Sequence, residues 1–386
     1  MSLRTEGDLG PLPRTAAELE RGIGEGLQLG GQLYVSRQAV GVADVAFGEA
    51  RPGEPMRREH RMLWLSASKP VTAVAVAQLW ERGALALDDA VARHLPEFAT
   101  GGKGGVTIRH LLTHTAGIRM LDTGWPEATW ESTVARVCAR PLEPRWAPGR
   151  KAGYHLASSW FVLGELVRRL DGRPIATFVR DEIFAPLGLA RSGIGVERER
   201  FAAERERIAP MYVDVGGTLE PSDLTSEAKL VAPSPGGNGL GPLAELGRFY
   251  EALAGAGRGG RELPLRPQTV EALAARHRVG LFDHTFKTKL DWGLGVIVNS
   301  AHYGDPRAPY GYGPHAGPRA WGHSGARSSV AFVDPDAELV VALAVNGMSG
   351  EDAHRERFAR LTAAIYEDLA LVAPASAPGS AGRDPD

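Results

Sequence analysis

Apolar and polar residues alternate with two different periods along this chain, and the change of period divides it into three stretches. Near the front, Thr15 to Leu29 carries apolar residues at three-to-four spacing, which predicts a first helix. Gln32 to Arg37 and Val40 to Phe47 then read as two short strands carrying Val, Tyr and Phe. Met62 to Leu65 is a brief apolar run, and Val71 to Trp80 is apolar on nearly all sides, as a helix buried at the centre of a molecule must be. Gly83 supplies its stop signal.

The middle of the chain reads as helical. Val106 to His114, Glu131 to Ala139, Ser158 to Leu170, Ile175 to Phe184, Leu243 to Leu253 and Thr269 to Ala275 show helical spacing, separated by Pro and Gly. Gly193 to Gly241 is rich in Gly, Pro and charge, which predicts loops that could lie over a cleft. After Lys289 the period shortens to that of strands. Trp292 to Asn299, Ser328 to Asp334 and Glu338 to Asn346 are Val-rich, and the tight-turn sequence from Asp334 to Ala337 joins the last two as an antiparallel hairpin. A closing helix covers Asp352 to Leu371, and the low-complexity tail 373–386 is expected to be disordered.

Strands at both ends with helices between them predict an α/β fold of the α+β type. One antiparallel sheet flanked by helices would be built from 1–82 and 290–372, with an all-helical lobe from 83–289 inserted beside it.

Composition narrows the function classes. With 43% hydrophobic and 23% charged residues the chain is globular, and a net charge of -2 gives no electrostatic case for nucleic acid or an anionic membrane as partner. No segment reaches the roughly 18 consecutive apolar residues of a membrane span. The first ten residues lack the basic start and apolar core of a secretory signal, so a cytoplasmic protein is expected. Cys138 is the sole cysteine, which excludes an intrachain disulfide and a multi-thiolate zinc site, and its apolar helical setting reads as a small buried hydrophobe.

Candidate chemistry begins at Ser66-x-x-Lys69, where the buried helix starts. Three residues is just under one turn, so both side chains fall on one side of the helix start. The N-terminus favours a developing oxyanion, while dipole and burial push Lys69 toward the neutral form a base requires. The pattern alone is weak: eighteen serines and six lysines give about 0.3 such pairs by chance. Ser226-x-x-Lys229 is a second copy, set in the loop-rich stretch with no helix to lean on, and on its own Lys69 reads equally as a snorkelling surface lysine. Ser324, in Gly322-His323-Ser324-Gly325-Ala326, resembles a hydrolase elbow but leads into a strand, not a helix. His110 and His114 share a helix face without an acidic neighbour, so they read as capping or buried histidines and not as a metal pair.

Five motifs nevertheless occur in order: LWLSASKPVTAVAVAQL, IRHLLTHTAGI, PGRKAGYHLASSWFVLGELV, GGNGLGPLAELGRFYEAL and WGHSGA. Together, over about residues 15 to 371, they resemble the penicillin-recognising serine hydrolase superfamily of class C β-lactamases, serine DD-peptidases and family VIII carboxylesterases. The resemblance implies Ser66 as the acylated nucleophile, Lys69 as its proton partner and Tyr154 as a proton shuttle; without it Tyr154 reads as a packing residue. It implies an oxyanion hole from the backbone N–H groups of Ser66 and Ala326. His323 would head a cleft-lining third motif on an edge strand, with His155, Leu156, Trp321, Ser324 and Gly325 as substrate contacts.

Two departures shift the substrate. The second motif is usually Tyr-x-Asn but here reads Tyr154-His155-Leu156, which removes an amide that would hold an acylamino side chain. The third motif starts with His323 in place of Lys, so the fixed cation for a carboxylate becomes a titratable imidazole. Both point away from antibiotics and cell-wall peptide and toward family VIII carboxylesterases. The expected activity is hydrolysis of a small carboxylic ester through a Ser66 acyl-enzyme, with no metal or cofactor and with the oligomeric state open. Alternatives are a transacylase passing the acyl group to an amine or alcohol in natural-product biosynthesis, a β-lactamase or DD-peptidase, and a non-catalytic binding protein on the same fold.

Overall fold

The computed structural model describes residues 3–255, 265–305 and 311–372, so the expectation for the tail lies outside the described residues. A nine-stranded sheet organises the chain. Its order is Thr5–Glu6, Val40–Arg51, Gly30–Arg37, Leu339–Val345, Ser329–Asp334, Trp321–Gly325, Ile297–Val298 and Asp291–Trp292, with Glu54–Pro55 pairing beside Val40–Arg51. Every pairing in it is antiparallel. Gly30–Arg37 and Leu339–Val345 pair along their whole shared length and join the two ends of the chain.

Strand alternation gives the sheet two apolar faces. Leu33, Val35, Phe332, Val341 and Leu343 pack against Leu19 of the Pro13–Gly24 helix and Phe358, Leu361 and Ile365 of the Glu351–Asp368 helix. Tyr34, Ala331, Val333, Ala342 and Ala344 pack toward Lys69–Glu81, Leu243–Ala254 and the helices of the chain's middle. The Lys69–Glu81 helix has every residue from Lys69 to Leu79 buried, which accounts for its lack of a polar face. It is followed by Gly83 at φ +72°, a conformation in which glycine has no Cβ to clash.

Two expectations are revised. The Trp292 to Asn299 run is not one strand but a tight hairpin of Asp291–Trp292 with Ile297–Val298. Gly295 turns at φ +80°, and a Cβ on Gly293 would lie 2.1 Å from the Leu273 carbonyl oxygen, so the glycines, not the apolar content, decide the path. The 193–241 stretch is also more ordered than its composition suggests. It holds the Arg198–Glu204 helix, a Tyr212–Val215 and Thr218–Pro221 hairpin, and Gly239–Gly241, which pairs with both Met62–Leu65 and Gly193–Ile194.

Candidate active site

Ser66 follows directly on the short Met62–Leu65 strand. Leu65 turns the chain at φ 50° and ψ -133°, a strained backbone for a residue with a Cβ, and one turn of 3-10 helix over Ser66–Ser68 leads into Lys69–Glu81. Neighbouring segments lock this turn. The Ser68 hydroxyl donates to Leu65 O and accepts from Gly239 N–H at 2.8 Å, and Thr72 Oγ1 donates to Pro235 O at 2.6 Å. Ser66 therefore heads a helix start, where the first N–H groups have no intrahelical acceptor.

Lys69 is fully buried, and its Nζ lies 2.9 Å from Ser66 Oγ, 3.0 Å from Leu156 O and 2.6 Å from Gly236 O. No carboxylate forms an ion pair with it among the described residues, and burial drives its pKa well below that of an ordinary lysine. A neutral amine has two N–H bonds and one lone pair. The two carbonyls take the N–H bonds, and the lone pair is left for the Ser66 hydroxyl proton.

Tyr154 stands next to this pair, with its ring centre 5.0 Å from Lys69 Nζ. The His114 and Phe286 rings pack against it, tilted, with centres 4.7 and 4.8 Å away. The His323 ring lies 6.1 Å from Tyr154 and 5.6 Å from Trp292. Its Nδ1 is 2.8 Å from Ser324 O, and since a carbonyl can only accept, the proton sits on Nδ1 and Nε2 carries the lone pair. Burial pushes His323 down to about 3, so it remains a neutral imidazole and is not the titratable group expected from the sequence.

The third-motif strand is not at the sheet's edge. Ile297–Val298 flanks it and pairs with Trp321 and Gly322, the first two residues of the strand. Gly325 is required here, because a Cβ would lie 2.3 Å from both Trp64 O and Ser329 Oγ. Ala326 packs with the apolar cluster of Leu63 and Leu65, beside the nucleophile turn.

The other expected substrate contacts separate. Leu156 is 62% exposed, and its side chain reaches solvent while its carbonyl holds Lys69. Ser324 faces the opposite side of the sheet, in a cavity with His354 and Phe358, because successive strand residues alternate. Trp321 is a core residue packed on Tyr250, at 5.8 Å, in the same apolar core as the central helix. His155 is buried. Its Nε2 accepts from Ile118 N–H at 3.1 Å, and its Nδ1 meets His114 Nδ1 at 3.2 Å. The buried side chains of His155, Trp321 and Ser324 do not offer themselves to a substrate at Ser66.

The decoys resolve as well. His110 completes a capping box with Thr107, and His114 is buried. Lys229 does lie on a short helix, Glu227–Val231, but it pairs with Asp223 at 2.8 Å on the surface. Cys138 is buried in the core with its pKa raised to about 11.

Buried neutral histidines have a cost in acid. Burial lowers His155, His323 and His354 to about 3 from an ordinary 6.5, and His114 falls well below 6.5. Between those values the unfolded chain binds protons that the native chain refuses, so stability rises with pH there. Each such histidine removes about 1.4 kcal/mol per pH unit as the pH falls below 6.5. Urea melts at pH 7, 6 and 5 are expected to show this steep loss; a stability flat across that range would contradict the neutral, buried assignment.

Residues that sequence reasoning missed include Gly236, whose carbonyl holds Lys69, and Asp283, whose carboxylate accepts the Tyr154 N–H at 3.1 Å. The Asp283-x-Thr285 turn composition was readable, but its link to Tyr154 spans 129 residues and leaves no local signal.

The Beta-lactamase family model matches residues 17–364. Esterase EstB of Burkholderia gladioli is 33% identical over 355 residues, covering 81% of this chain and 84% of that protein. The crystal structure of a family VIII carboxylesterase superposes with a TM-score of 0.79 at 25% identity, covering 95% of this chain and all of that one. A penicillin-binding protein homologue from Caulobacter crescentus superposes at 0.76 with 27% identity, covering 96% of this chain and 100% of its own. The chain belongs to the Beta-lactamase family, serine hydrolases whose shared fold serves both esterases and penicillin-binding proteins.

Proposed function

We propose that the protein is a carboxylesterase that cleaves a small, uncharged ester through an acyl-enzyme on Ser66. The contact that carries this reading is the 2.9 Å approach of a fully buried, carboxylate-free Lys69 amine to the Ser66 hydroxyl. In that setting Lys69 takes the serine proton as Oγ attacks the ester carbonyl. The N–H groups of Ser66 and Ala326 receive the oxyanion. The C–O bond breaks, its electron pair leaves with the alcohol oxygen, and Tyr154 passes that oxygen a proton drawn from Lys69. Water then attacks the acyl-enzyme by the same route in reverse and releases the acid.

Two features support an uncharged ester over a β-lactam or a peptide carboxylate. His323 stays neutral down to about 3, so the third motif presents no cation to an anionic group. Leu156 places an exposed apolar side chain where an amide would bind an acylamino group. The similarity to an esterase points the same way. A cytoplasmic location is part of this reading; no helix among the described residues is long and apolar enough to cross a membrane.

A panel of short p-nitrophenyl esters, nitrocefin and a D-alanyl peptide tests the substrate class. Ester turnover exceeding nitrocefin turnover by about 100-fold or more is expected, the loss of one paired charge being worth about 3 kcal/mol. Nitrocefin turned over faster than every ester would overturn the reading. An added amine or alcohol distinguishes transfer from hydrolysis, because both draw on the same acyl-enzyme.

A further inference from the structure

Tyr154 lies in no helix or long strand, so its position has to be fixed from outside. Ala152 forms a single parallel bridge with Asp283, and Gly153 N–H donates to His114 O at 3.0 Å. The Tyr154 N–H donates to Asp283 Oδ1 at 3.1 Å, and its carbonyl accepts from Thr285 Oγ1 at 3.1 Å. One loop thus grips the tyrosine's backbone on both sides. The same Asp283 oxygen accepts from Thr285 N–H at 2.8 Å and from Phe286 N–H at 3.0 Å, which sets the Phe286 ring against the phenol.

The other carboxylate oxygen of Asp283 accepts from Arg278 at 2.9 Å, and both side chains are at most 1% exposed. Arg278 also donates to Leu290 O and Thr113 O, each at 3.2 Å, and lies 5.2 Å from the Trp292 ring centre. Burying such a pair is a poor route to stability, because apolar residues of similar volume do as well. What it supplies is direction: one carboxylate gathers the Tyr154 N–H from far along the chain, the Arg278 guanidinium and two N–H groups of its own turn.

We propose that Asp283 and Thr285 form a positioning clamp that holds the Tyr154 phenol where it can protonate the departing alcohol. The inference rests on the proposed proton relay through Tyr154. Its signature is leaving-group dependence. An alkoxide must gain a proton as its C–O bond breaks, whereas p-nitrophenolate departs as an anion without one. A misplaced phenol therefore harms alkyl esters and spares activated aryl esters, while general damage to the site harms both.

The test compares kcat/KM for the ethyl and p-nitrophenyl esters of one acid, since kcat/KM reports acylation and deacylation is common to both. Asp283→Asn is expected to lower the ethyl ester value about 100-fold and the p-nitrophenyl value by less than about ten-fold. Thr285→Val, which keeps the buried ion pair, is expected to show the same bias at about ten-fold and decides the matter if Asp283→Asn does not fold. Equal losses on both esters, or no loss on either, would overturn the clamp. Tyr154→Phe is the control: a bias there without one in the clamp variants defeats this inference alone. No bias in Tyr154→Phe defeats both the relay and the clamp.

Discussion

Lys69→Met is expected to lower kcat/KM by about 10³- to 10⁴-fold while the chain still folds. Methionine fills nearly the same volume and has no need of solvation, so the cost of burying an amine disappears. Against that gain, Leu156 O and Gly236 O each lose a donor, about 1–3 kcal/mol per orphaned carbonyl. These terms oppose one another in stability, whereas nothing offsets the loss to catalysis of the proposed base in contact with Ser66. In the proposed mechanism the active form is the neutral amine, and burial lowers the Lys69 pKa well below 10.5. Activity should accordingly fall in acid, with its midpoint far below that of an ordinary lysine. Activity in Lys69→Met within ten-fold of the parent, at an unchanged melting temperature, would remove the proton-transfer role.

Gly325→Ala carries the second large effect, and it acts through geometry. The new methyl would sit 2.3 Å from Trp64 O and Ser329 Oγ and 2.9 Å from Leu65 Cβ. Ser329 Oγ could rotate, at the loss of its 2.8 Å bond to Trp64 O, but the Trp64 carbonyl is backbone. Strand and nucleophile turn must therefore move apart, which shifts the Ala326 N–H from the Ser66 N–H. Loss of one oxyanion donor costs about 10²- to 10³-fold in kcat. Overpacking adds about 1–3 kcal/mol of destabilisation. Both are expected together, in kcat and in the urea midpoint. A variant that keeps full kcat would show that the third-motif backbone takes no part in oxyanion binding.

Most of the fold was legible because its elements are long and their periods are distinct. The run from Val71 to Trp80 is apolar on nearly all sides, as a buried helix must be, and the helix is buried from Lys69 to Leu79. The paired ends of the chain could be read from alternating Val-rich segments flanked by turn residues. Short elements were less legible. Trp292 to Asn299 carries strand-like residues, yet Gly293 and Gly295 fold it into a hairpin, because close packing against Leu273 and Ala73 admits nothing larger.

The site divides along the same line. Ser66 and Lys69 are three residues apart, so local helix geometry places them, and Tyr154 and His323 follow from motif order. Which neighbours of those residues face the cleft depends on strand register and on contacts far along the chain. Ser324 follows His323 directly and yet faces the closing helix. His155 follows Tyr154 directly and yet is taken up by Ile118 and His114. A motif identifies a segment; alternation across the sheet decides which of its side chains can touch a substrate.

Covalent capture decides whether Ser66 is the acylated nucleophile. The protein is incubated with an excess of a slowly deacylating ester, quenched in acid, and weighed intact and as peptides. One added acyl group is expected, located on the peptide containing Ser66, and none on Ser66→Ala. An adduct that persists on Ser66→Ala, or that maps to any other residue, would contradict it.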